Sequence, residues 1–149
     1  MAGAALLHMY LLVLLAVAAC LRVAESPSAA GRSSNLLSDA ATAVQQAKLL
    51  QQSDPHAAMG EAAAAAAMLG KGRPRVREGK APSARALLWA QAQTQLGAAY
   101  HTTIRHDEAA AAYARALGVL ESAPRGTRDG SGRPLEMEIL AVKMERYGS

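Results

Sequence analysis

Apolar residues recur at helical spacing in the first regular segment of the chain, and they predict a helix over residues 36–52. Asp54 then predicts the start of a second helix as its N-cap, with Pro55 at the first helical position. That helix is expected to end just before Gly70, which serves as its C-cap. The apolar positions of the first helix are Leu36, Leu37, Ala40, Ala43, Val44, Ala47 and Leu50.

The segments between these patterns divide the chain by composition. Ser, Ala, Gly and Pro dominate before the first helix, while glycine and proline interrupt a basic stretch after the second. The predicted organisation is a signal peptide or membrane anchor at 1–24, a flexible spacer at 25–35, a helical hairpin at 36–69, a basic linker at 70–83, a second hairpin at 84–124, a loop at 125–134 and the start of a further helix at 135–149.

Residues 2–21 carry no formal charge and read as a secretory signal or a membrane anchor. The small residues near Ala18 are suited to cleavage of a signal peptide. If the segment stays uncleaved, it is the part of the chain that contacts a membrane. Cys20, the single cysteine, ends a short match to the lipobox of bacterial lipoproteins and excludes an internal disulfide. We expect a secreted or membrane-anchored protein of the secretory pathway.

Alanine dominates the apolar content, because 51% of the residues are hydrophobic while only 3% are aromatic and no Phe is present. Alanine has the highest helix propensity and buries little area, so close-packed helices are expected and a deep ligand cavity is not. The composition therefore favours an all-α fold.

The formal net charge of +4 is concentrated in the basic linker. No aromatic residue interleaves these charges as a stacking platform for nucleic acid would require, so we expect a solvated linker and no nucleic-acid partner. Its basic residues are Lys71, Arg73, Arg75, Arg77, Lys80 and Arg85.

A repeat signature follows the linker. Leu96, Gly97 and Tyr100 form L-G-x2-Y, and an A-x3-Y segment begins at Ala109, thirteen residues after Leu96. Small residues at such positions let two helices of a hairpin cross closely, while larger ones fill the space around the crossing. The residues expected to define this packing are Leu96, Gly97, Tyr100, Ala109, Tyr113, Ala116 and Leu117.

These residues resemble the tetratricopeptide repeat (TPR) family, with one clear repeat at about residues 89–124. The chain departs from the family at Gln93, where a large apolar residue is usual, and at Ile104, which replaces a turn glycine and suggests a looser turn. The resemblance implies antiparallel hairpins of the α-solenoid type. It also implies a concave peptide groove formed by Gln91, Thr94, Ala98, His101 and Thr102.

No catalytic motif is recognised, and no cofactor or metal is expected. His101 and His106 flank the predicted turn but do not share a helix face, so we expect solvent-exposed turn histidines. One function hypothesis is a non-catalytic scaffold that binds a protein segment, with self-association through stacked repeats as a variant. The alternatives are the substrate-recruiting N-terminal part of a larger secretory-pathway transferase or hydroxylase, and a small TPR lipoprotein.

Overall fold

The computed structural model of the protein describes residues 29–70, 73–77, 79–129 and 131–147. The chain divides into two units, Met1–Ser34 and Asn35–Ser149. All contacts discussed below lie within the second unit. The predicted signal or anchor segment, at 1–24, is outside the described residues. None of the helices in the described ranges has the length and apolar character needed to span a bilayer.

The described ranges contain five α-helices and no β-strand, which confirms the predicted all-α class. Helices α2 and α3, α3 and α4, and α4 and α5 pack as neighbours in chain order. The helices are α1 (Ala29–Leu50), α2 (Pro55–Leu69), α3 (Ala84–Thr102), α4 (His106–Leu120) and α5 (Leu135–Tyr147).

Helix α1 begins at Ala29, so the end of the predicted 25–35 spacer is helical. Adding residues to an existing helix costs far less than nucleating one, and the alanines there favour it. Its buried residues have the predicted spacing, whereas Leu36 is 38% exposed and lies outside the core. The residues of α1 that are buried in the core are Ala40, Ala43, Val44 and Ala47.

Helix α2 has both of its predicted caps. The Asp54 carboxylate accepts a hydrogen bond from the Ala57 backbone N–H at 3.0 Å, and Pro55 occupies the first turn. At the other end, the N–H of Gly70 donates to the carbonyl of Ala67, and its φ of 126° is readily adopted only by glycine. Local sequence is therefore sufficient to set the bounds of this helix.

The basic linker is mostly exposed, as expected, but it also contacts the helices. The Arg85 guanidinium donates to the carbonyl of Leu69 at 2.7 Å, and that of Arg73 donates to the carbonyl of Gly118. Both carbonyls belong to the last turns of helices, where cations are favoured. Val76 packs against the core and Pro82 is buried, so apolar residues between the charges hold the linker down.

The core between α3 and α4 contains the residues of the repeat signature. Six of the seven are buried, and Tyr100 is half-buried. Gln93, at the position where the family has a large apolar residue, is 6% exposed, and its Oε1 accepts a hydrogen bond from Arg115 Nε at 3.0 Å. The bond offsets the desolvation of the amide oxygen, which explains how a polar residue fits there.

The turn between α3 and α4 is tight, contrary to the looser turn expected from the missing glycine. Arg105 N–H donates to the carbonyl of Tyr100 at 2.8 Å, and Ile104 N–H donates to that of His101 at 3.1 Å. This is the paired bonding of a Schellman motif. The Arg105 guanidinium also lies 4.7 Å from the Tyr100 ring centroid and pairs with Glu108. Ile104 therefore adopts a φ of 62°.

Replacing Ile104 with glycine is expected to raise the free energy of unfolding by about 0.5–1 kcal/mol. A β-branched residue is strained at positive φ, and the side chain is 78% exposed, so little packing is lost. Urea denaturation followed by circular dichroism measures the change. Ile104→Ala is the control, because alanine keeps a Cβ at the same φ and should give less gain. A lower stability for Ile104→Gly would show that this residue is not strained.

The segment between α4 and α5, predicted as a loop at 125–134, is ordered by hydrogen bonds. Arg128 and Pro134 form an isolated antiparallel bridge, and the Asp129 carboxylate accepts from the backbone N–H groups of Ser131 and Arg133. These bonds lower the pKa of Asp129, with the Ser131 side chain contributing most. The segment therefore positions the start of α5.

Candidate peptide-binding groove

An open cleft of about 310 Å³ lies where the end of α1 meets α3, α4 and α5. Its lining combines small and polar side chains of α3 with a methionine and a carboxylate of α5. The lining residues are Gln51, Ala98, His101, Thr102, Tyr113, Met144 and Glu145.

Tyr113 of α4 lies against both α3 and α5 at the cleft. Its ring lies so close to Gly97 of α3 that a Cβ built on the glycine would meet ring carbons at 2.7–2.9 Å. Its hydroxyl interacts with the carboxylate of Glu145 in α5. Burial raises the pKa of Tyr113 well above its usual range, and the charge and hydrogen bond of Glu145 add to the rise. The phenol therefore keeps its proton beside the carboxylate of Glu145.

The rim near α1 contains an unsatisfied acceptor. Gln51 Nε2 donates to Thr102 Oγ1 at 3.3 Å, and the Thr102 hydroxyl in turn donates to the carbonyl of Ala98 at 3.0 Å. Among the described residues, Gln51 Oε1 is the buried side-chain atom that lacks a hydrogen-bond partner. Buried polar atoms are nearly always paired, so this enclosed oxygen is an exception within the described part of the chain.

Two histidines meet at the α3–α4 turn. The ring centroids of His101 and His106 are 5.2 Å apart with an interplanar angle of 69°, and both residues are exposed. The sequence predicted exposed turn histidines, and that is observed. The turn nevertheless brings the rings into contact although the residues do not share a helix face, which sequence spacing did not indicate.

Helix α5 presents an exposed apolar stripe that continues from the cleft. Its four residues recur at intervals of three and four, so they lie on one side of the helix, opposite the buried Leu135 and Val142. Met144 belongs to both the stripe and the cleft. The stripe consists of Met137 (63% exposed), Leu140 (54%), Met144 (66%) and Tyr147 (71%).

Three of the five predicted groove residues, Ala98, His101 and Thr102, line the cleft together. Gln91 and Thr94 lie nearer the start of α3 and are half-buried, and neither lines the cleft. The Thr94 hydroxyl donates to the carbonyl of Ala90 at 3.0 Å, so it is already bonded within the helix. The cleft therefore contains the three predicted groove residues nearest the C-terminal end of α3.

Sequence reasoning did not assign Gln51, Met144 or Glu145 to the site. Met144 has a signal in the sequence, since Met137, Leu140 and Met144 already show helical periodicity. Gln51 and Glu145 have none, because each reaches the cleft only through the packing of its helix end. Within the described ranges, no group of three or more His, Cys, Asp or Glu side chains is placed to hold a metal ion.

No protein-family model matches this chain, and neither a curated protein nor a solved structure does.

Proposed function

We propose that this protein is a non-catalytic interaction module of TPR-like helical hairpins, which binds a segment of another protein in the cleft between α1, α3 and α5. The observation that carries the proposal is the cleft itself, where polar side chains of α3 lie beside an exposed apolar side chain, Met144. A peptide supplies the two groups this surface favours, a backbone donor and an apolar side chain.

The arrangement of the helices supports the repeat-type part of the proposal. Each helix from α2 onward packs on the next in the chain, as in stacked hairpins. Ala43 and Val44 of α1 cluster with Ala65 of α2 and Ala92 of α3, so the first hairpin and α3 share one core. Glycine and alanine allow the close approach that such stacking requires.

The chemistry of the cleft favours a segment with an apolar anchor residue and a free N–H group. The anchor would contact Met144, whose flexible thioether adapts to different partners. Further apolar residues of the segment would continue along the α5 stripe. Neighbouring His101 and Thr102 supply polar contacts at the rim. Orientation is thus provided by hydrogen bonds, and affinity by the apolar contacts.

A phage-displayed peptide library selected on the purified full chain tests the proposal. We expect enrichment of peptides whose affinity falls at least about tenfold, or 1.4 kcal/mol, when Ala98→Trp fills the cleft. The matched control is Ala64→Trp on the exposed side of α2, away from the cleft. Circular dichroism first establishes that both variants fold. Peptides that bind wild type and Ala98→Trp equally, or a library without enrichment, would refute this function.

A further inference from the structure

The two turn histidines form a pair whose separation matches that of a shared metal ion. Zn²⁺ binds imidazole nitrogen at about 2.0–2.1 Å in tetrahedral geometry, which places the ring centroids of two histidine ligands roughly 5 Å apart. The observed centroid separation of His101 and His106 is 5.2 Å. Rotation about the Cβ–Cγ bond changes the direction of the ring nitrogens but leaves each ring centroid nearly in place. The distance between the two centroids is therefore set by the backbone and χ1.

The turn that connects the histidines is restrained. Its Schellman hydrogen bonds fix the backbone from Tyr100 to Arg105, and the Arg105 guanidinium is held over the Tyr100 ring and against the Glu108 carboxylate. Little backbone entropy therefore has to be lost when a metal ion binds. The positive charge of Arg105 is already paired with the Glu108 carboxylate.

The surrounding charges also suit a cation. His101 lies in the last turn of α3, where the helix dipole favours positive charge, and Asp107 is adjacent to His106. His106 itself is in the first turn of α4, where the helix dipole disfavours a cation, and the adjacent carboxylate of Asp107 opposes that effect. Both histidines are exposed, which leaves room for water as the remaining ligands.

We propose that His101 and His106 are a two-histidine site for a divalent transition-metal ion such as Zn²⁺, Ni²⁺ or Cu²⁺, with solvent completing the coordination. Neutral imidazole is a good ligand for all three ions. Because one histidine is on α3 and the other on α4, the bound ion joins the two helices across their turn and stabilises the folded hairpin. The site does not depend on the proposed peptide function.

Isothermal titration of the full-length protein with ZnCl2 alone is the test. Wild type is expected to show a binding event that His101→Asn and His106→Asn each weaken at least about tenfold. Since one shared ion needs both ligands, the double variant should lose no more affinity for Zn²⁺ than either single variant. ZnCl2 should also raise the Tm of wild type and leave the Tm of the double variant unchanged.

His56→Asn is the matched control, because His56 is an exposed histidine at the start of α2. This variant should bind Zn²⁺ as wild type does. Weaker binding by His56→Asn would show that histidines outside the pair bind the ion. Because His101 and His106 are exposed, their asparagine variants should fold, and circular dichroism checks this. Absence of Zn²⁺ binding to wild type, or binding that survives in both single variants, would overturn the site.

Discussion

Replacing Gly97 with alanine is expected to lower the free energy of unfolding by about 2–3 kcal/mol, and replacing it with leucine by more. A Cβ at this position would meet three ring atoms of Tyr113 at 2.7–2.9 Å. The ring cannot move freely, because Tyr113 is 3% exposed and is enclosed by the core. The new methyl group therefore has to push α3 and α4 apart. Urea denaturation followed by circular dichroism measures the loss.

Gly60 provides a matched control in the interior of α2. A Cβ built there has no atom within 4 Å, so Gly60→Ala should stabilise the protein by up to about 1 kcal/mol through helix propensity. The same substitution thus has opposite signs at two helical glycines. If Gly97→Ala also stabilises the protein, the close contact between Gly97 and Tyr113 does not exist in solution.

Replacing Trp89 with alanine should cost about 3–5 kcal/mol, the largest effect expected from truncating one side chain. Trp89 is 3% exposed and belongs to the main core cluster, which also contains Tyr113, Leu117 and Leu120. The other large side chains of this cluster are themselves buried and packed, so they can fill only part of the cavity. Thermal and urea unfolding, both monitored by circular dichroism, give the change in Tm and in free energy.

Leu49→Ala is the control for the tryptophan. Leu49 is 79% exposed, and its truncation should change the stability by less than about 0.5 kcal/mol. Trp89 is also the single tryptophan, so its fluorescence in wild type reports on this core as it unfolds. A Trp89→Ala protein as stable as Leu49→Ala would mean that the main core is not built around the indole.

Local signals predicted much of the fold correctly. The Asp54, Pro55 and Gly70 signals set the bounds of α2, and the spacing of Ala40, Ala43, Val44 and Ala47 identified the buried face of α1. These features depend on residues within one or two helical turns, which a single sequence displays directly. The start of α1 was missed because a helix extends into a segment without apolar periodicity at little cost.

The linker and the turn show where local signals were insufficient. Glycine, proline and charge correctly indicated an irregular segment, but Arg73 and Arg85 find helix-end carbonyls that are far away in sequence. At Ile104, a residue unsuited to positive φ still occupies the glycine position, because the bonds of Arg105 to Tyr100 and Glu108 hold the turn. Tertiary contacts outweighed the local preference in both cases.

The candidate site divides in the same way. Ala98, His101 and Thr102 were implied by the resemblance to the TPR family, whereas Gln51 and Glu145 reach the cleft only because α1 and α5 end beside α3 and α4. The pairing of His101 with His106 likewise depends on the Schellman turn.

The sequence by itself determined the helical class, the caps of α2 and the requirement for a small residue at position 97. Each of these follows from backbone propensity or short-range spacing. Tertiary structure decided how the helix ends meet, which polar groups are paired and which apolar stripe stays exposed. Those properties depend on contacts between residues distant in sequence, and such contacts are formed only when the helices pack.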